Sequence, residues 1–195
     1  MGELIYEEAT HEYKEGGVVL RSVTQIIKDA GLIDLNWIDK DLLAEKADLG
    51  NKVHKTTELY DMGSLNTEEL HPALRSYLDG WIKFRSDYNF VPQDIELQLF
   101  HKTYRYAGRI DRTGLLLKEL TLLDIKSGIA QKSNALQTAA YAELYNQDKK
   151  KSEQIKRRMI VYLSPDGYKI EEHLDANDKN VFLAALTISN FKRRK

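Results

Sequence analysis

The chain has 195 residues, 42% hydrophobic and 30% charged, a length and balance that fit one soluble globular domain over residues 1–195. Cysteine is absent, which excludes disulfides, thiol catalysis, cysteine-ligated zinc and iron–sulfur clusters together. The net charge of −1 argues against a generally adhesive nucleic-acid binder but leaves room for a local basic surface, because the field follows distribution rather than sum.

The opening MGELIYEEAT lacks a basic stretch followed by an apolar one, so no signal peptide is expected. No apolar run reaches the roughly 18 residues that a membrane span requires. The first 21 residues read as a β-hairpin, with Gly16-Gly17 near its second strand. Ser22 then suits the N-cap of a short helix that runs to about Ala30 and is ended by Gly31. Residues 37–61 carry a helical period, with Leu42, Leu49, Val53 and Tyr60 on one stripe. A second long helix is predicted from about Thr67 to Tyr88, and Pro92 precedes an extended region.

Residues 95–126 are the strand-rich part, with IELQLF, YAGRIDRTG and ELTLLDIK holding β-type apolar residues and few breakers. The leucines between 115 and 123 fall on both alternating faces, the mark of a central strand pair covered on both sides. Gly128 ends this stretch, and Ser133 or Asn134 caps a helix to about Asn146. Strands near 157–163 and 168–174 are joined by Ser164-Pro165-Asp166-Gly167, and a helix over about 176–192 closes the chain. The order implies an α/β class, a mixed sheet sandwiched by helices. Positive charge gathers late, at Lys149, Lys150, Lys151, Lys156, Arg157 and Arg158 and again at Lys192, Arg193, Arg194 and Lys195. Two readings stay open for these runs, a solvated loop with a frayed tail or a surface that contacts phosphates.

An acidic residue two places before a lysine occurs at Glu12–Lys14, Asp124–Lys126 and Asp148–Lys150. Only Asp124–Lys126 lies inside an apolar strand, where charges are rare unless paired or bound to metal. A hairpin turning at Leu117-Lys118 sets Asp111 opposite Asp124 and Arg109 opposite Lys126, with facing Cβ atoms about 4.5–5.5 Å apart. Two carboxylates so placed repel, and a divalent cation between them reverses the sign. Lys126 returns to the face of Asp124 by the two-residue period, while Ile125 turns its side chain to the core and keeps its carbonyl free to reach a metal. The competing reading makes Asp124 a buried salt bridge to Arg109 or Lys126, with Asp111 in a turn. A one-residue slip would separate the aspartates.

Two helices bring further polar groups. His54 sits at the shoulder of the apolar stripe of 37–61, and Gln137 and Tyr141 share a face of the 133–147 helix at i, i+4. Each also has a plain reading, a satisfied boundary histidine and a glutamine bonded to backbone.

In chain order, GNKVHKTTE, IELQLF, AGRIDRTG, LLDIKSG and NALQTAAYAELY resemble the RecB-like branch of the PD-(D/E)XK nucleases, over about residues 50–145. The resemblance implies a restriction-endonuclease-like core, a central mixed β-sheet flanked by helices. It implies a metal site of His54, Asp111, Asp124 and the Ile125 carbonyl, holding Mg²⁺ or Mn²⁺, with Glu96 matching an acidic residue that some members carry on the preceding strand. Asp111, Asp124 and Lys126 then match the catalytic elements, and Gln137 with Tyr141 matches a catalytic helix motif that would buttress the site or touch a phosphate. The four cysteines of the iron–sulfur subgroup are missing, so no cluster is expected. The implied activity is a DNA exonuclease of the phage or prophage type, working in the cytoplasm in recombination, repair or phage replication on double- or single-stranded DNA. Homo-oligomers and a single-strand annealing or binding protein are the partners the resemblance brings with it. Two alternatives stand beside it, a non-catalytic DNA-binding or assembly subunit of the same fold and a junction-resolving endonuclease.

Overall fold

The computed structural model describes residues 3–7, 10, 12–33 and 38–194. It begins with three strands where the sequence predicts a two-stranded hairpin: β1 (Leu4–Glu7), β2 (Glu12–Glu15) and β3 (Val18–Ser22). The hairpin is β2–β3, and its turn is Gly16-Gly17, both at positive φ (56° and 80°), where a side chain would be strained. Ser22 caps α1 (Val23–Asp29) in a capping box with Gln25. Helix α2 (Lys40–Asp61) starts from Asp39, which caps it, and Trp37 of the predicted helix lies outside the described residues.

Helix α3 (Pro72–Asp87) starts five residues later than expected, because Pro72, with φ already fixed, begins the helix behind the His71 cap. Pro92 falls inside β4 (Val91–Phe100) and not before it. That is tolerable because, among the described residues, β4 pairs with β5 alone, and the register slips between Pro92 and Asp94. Strands β5 (Tyr106–Leu116) and β6 (Glu119–Lys126) form the predicted hairpin, with Leu117 and Lys118 both at positive φ in the turn. Helix α4 (Ser133–Asn146) has Lys132 at its N-cap without a side-chain hydrogen bond, one residue before the expected cap. Strands β7 (Arg157–Ser164) and β8 (Gly167–Glu172) and helix α5 (Asp178–Lys192) complete the chain.

The result is a mixed eight-stranded sheet in the order β1-β2-β3-β5-β6-β7-β8, with β4 attached to β5. Helices cover both faces, an arrangement compatible with a restriction-endonuclease-like core. On one face α1, α4 and α5 bury Val23, Ile26, Leu136, Phe182 and Leu186 against Tyr106, Ile110 and Leu122. On the other, α2 and α3 bury Val53, Trp81 and Phe84 against Leu123, Ile125, Met159 and Val161. Each such fully enclosed side chain contributes about 1.5–3 kcal/mol relative to exposure. Among the described residues, no helix is long and apolar enough to cross a membrane.

Candidate metal centre

The sheet forks at β5. One edge of β5 pairs with β4 along most of its length. The opposite edge is shared, since β3 runs parallel to it at Tyr106–Ala107 and β6 runs antiparallel to it at Arg112–Leu116. Between them residues 108–111 have no strand on that edge among the described residues. Asp111 stands where the fork opens.

This corrects the expected ladder at its last step. The register from Leu116↔Glu119 to Arg112↔Leu123 is the one that would bring Asp111 opposite Asp124, but the ladder stops one residue short. There β6 leaves β5 and keeps its parallel pairing with β7, from Thr121↔Arg157 to Lys126↔Tyr162. The Ile125 N–H, released from the ladder, donates to Asp111 Oδ2 at 2.7 Å. Arg109 does not face Lys126 either. Its Nε is 2.9 Å from Glu96 Oε2, and its guanidinium lies over the Tyr6 ring at 5.4 Å.

The two-residue alternation of β5 also breaks here. Ile110 packs in the core beneath α1, α4 and α5, whereas Arg112 is held by Asp61 and Thr57 of α2 on the other face. The matching position on β4 is Glu96, skipped between Ile95↔Arg112 and Leu97↔Ile110 and held at φ 52°. A non-glycine residue in that region costs on the order of 1–3 kcal/mol and persists only where its surroundings impose it.

Three ligand-bearing groups converge at the fork. His54 Nδ1 is 3.4 Å from Asp111 Oδ2, and ligand atoms of His54, Glu96 and Asp111 all lie within 4.8 Å of one another, a group able to hold a metal ion. Burial and the charge of Asp111 raise the Glu96 carboxyl above its ordinary range, against the pull of Arg109 and Arg112. Asp124 lies beside this group rather than in it. Its side chain is almost wholly buried, with Lys126 Nζ 2.8 Å from Oδ2. Burial pushes the Asp124 carboxyl up; the Lys126 ammonium opposes this, and Asp111 adds to it. Burial alone would lower the Lys126 ammonium, but the charges of Asp124 and Asp111 outweigh it and hold that group above its usual value. The salt bridge of Asp124 to Lys126 is thus present, beside the group of His54, Glu96 and Asp111. Ile125 is fully enclosed in the α2/α3-side core, as the strand period requires.

On α4, Gln137 Nε2 donates to the Tyr141 hydroxyl at 3.0 Å, a side-chain partner rather than a backbone one. Burial, and then the charge of Asp124, push the Tyr141 phenol well up. Its ring lies on Gly108, where an added Cβ would come within 2.6 Å of Cε1. The glycine of AGRID is there so that this ring can reach the fork. The late basic residues divide. Arg157 bonds Glu172, and Arg158 bonds Asp178 and the carbonyls of Ala135 and Asp175. Lys149, Lys150 and Lys151 are exposed, and Lys195 lies outside the described residues.

The sequence reading missed the charges behind the site. Arg112 is fully buried, with Nε 2.6 Å from Asp61 Oδ2 and Nη1 2.9 Å from Glu96 Oε1. Asp61 also accepts from Arg85 at 2.6 Å and from the Trp81 indole at 3.0 Å. The signal was present, since Arg112 is a charge inside a strand, the same criterion that singled out Asp124.

No family model matches the chain, and no curated protein matches it. Among solved structures, the crystal structure of SSO0001 is similar at 16% identity and a TM-score of 0.40, over 60% of this chain and 56% of that one.

Proposed function

We propose that the chain is a Mg²⁺- or Mn²⁺-dependent deoxyribonuclease that hydrolyses phosphodiester bonds, acting from DNA ends in recombination or repair. The observation that carries this reading is the convergence of His54, Glu96 and Asp111 beside the ion pair of buried Asp124 with half-buried Lys126. The donor set suits a divalent cation. It offers hard carboxylate oxygens with one imidazole and no thiolate, and the buried Asp124 Oδ2 stands beside it with the Lys126 ammonium at 2.8 Å. His54, Glu96, Asp111 and Asp124 would hold the ion, with the Ile125 carbonyl as a further ligand. A bound ion supplies an activated water and polarises the scissile phosphate.

The chain's own groups account for the rest. The Ile125 N–H fixes the Asp111 carboxylate, so that one lone pair is committed and the other side stays available. Lys126, kept as an ammonium by two aspartates, offsets negative charge growing on the phosphoryl oxygens. The buried Gln137–Tyr141 pair sets the Tyr141 ring against Gly108 of β5, three residues before Asp111.

Digestion of linear, nicked and closed circular DNA with Mg²⁺ or with EDTA tests this. The expected result is Mg²⁺-dependent loss of the linear substrate only, abolished by Asp124→Ala in a protein that still unfolds cooperatively. Cleavage that survives in Asp124→Ala refutes the assignment, and absence of cleavage on every substrate favours a DNA-binding subunit.

A further inference from the structure

Arg112 joins all three members of the converging group. Its Nη1 donates both to the Glu96 carboxylate at 2.9 Å and to the Asp111 carbonyl at 2.5 Å. Its Nε and Nη2 reach Asp61 at 2.6 Å and Thr57 at 3.4 Å, and both of these residues belong to α2, the helix of His54. Positions 54, 57 and 61 recur on one face of that helix, so an anchor at 57 and 61 also sets where 54 stands. A buried arginine needs a countercharge, and the Asp61 carboxylate would be enough to supply one. The contacts to Glu96 and to the Asp111 carbonyl go further. They hold a strand residue in the left-handed region and the backbone of its neighbour, at the point where both ladders of β5 are interrupted.

We propose that Arg112, tied down by Asp61, is a positioning residue that sets the separation of His54, Glu96 and Asp111 and thereby the affinity of the site for a divalent cation. The inference rests on the nuclease reading of the same site. A lysine at 112 would keep the charge but not the fork, because one ammonium cannot span Asp61, Glu96 and the Asp111 carbonyl as a planar guanidinium does.

The test is calorimetric titration with Mn²⁺ of the parent chain, Arg112→Lys, Asp61→Asn and Met159→Ala, with urea unfolding of each. Met159 is buried in the core on the same face and carries neither charge nor metal-ligand oxygen in its side chain, so its truncation controls for lost stability. Arg112→Lys is expected to weaken Mn²⁺ binding about 10- to 100-fold while remaining cooperatively folded. Asp61→Asn should weaken it less, and Met159→Ala should leave it unchanged. Parent affinity in folded Arg112→Lys, or an equal loss in Met159→Ala, overturns the positioning role and leaves the nuclease reading intact. Should Arg112→Lys not fold, Asp61→Asn decides: weakened binding supports the role and parent affinity overturns it. A parent chain that binds no Mn²⁺ overturns both.

Discussion

The two halves of the fork are built on different principles. On the β4–β5 side, His54, Glu96 and Asp111 converge with two carboxylates close together, and the cations that compensate them, Arg109 and Arg112, stand behind them. On the β6–α4 side, Asp124 is answered directly by Lys126 at 2.8 Å, and Gln137 answers Tyr141. The first half is held open by its scaffold; the second is closed by its own lysine. A cation entering the fork therefore meets a ready group of ligands on one side and must compete with an ammonium on the other.

Substitutions can break this contrast. The largest effect is expected at Lys126. Lys126→Met leaves Asp124 buried without its countercharge and should cost about 2–3 kcal/mol in urea unfolding without metal, less than a fully dry pair because Asp124 can take up a proton. Added Mn²⁺ should recover much of that loss, since the ion replaces the missing charge. Equal stability of parent and variant without metal would mean that Asp124 needs no partner, and the two halves would not differ as described. A smaller effect is expected at Gly108. The Cβ of Gly108→Ala would press on the Tyr141 ring, at a cost of about 1–3 kcal/mol, and should lower cleavage while leaving Mn²⁺ affinity unchanged. A matching fall in Mn²⁺ affinity would show that the halves are one unit.

What could be read from the chain follows the same division. The β5–β6 hairpin was legible because its signals are local, with apolar strands meeting at Leu117-Lys118 in the register that the leucines require. The Ser22 cap and the i, i+4 spacing of Gln137 and Tyr141 are local too. The opening of the ladder at Asp111 was not legible. It depends on β3, which takes the first residues of the same β5 edge from some eighty positions away in the chain, and on β7, which draws β6 aside. Glu96 was reached only through resemblance, because a left-handed residue in mid-strand leaves no mark on a two-residue pattern. The buried Asp61 carboxylate and the half-buried Arg85 come from two helices whose sequences look like ordinary solvated faces. Of the basic runs, Arg157 and Arg158 are engaged with the fold through Glu172 and Asp178, partners that lie far from them in the chain or on another element.

The central claim is that the fork is a divalent-cation site whose nucleus is His54, Glu96 and Asp111. Calorimetric titration with Mn²⁺ of the chain and of its Asp111→Asn variant meets it most directly. Saturable binding by the parent that vanishes in the variant, with both proteins folded, is the predicted result. A parent that releases no binding heat, or a variant that binds as the parent does, would contradict it.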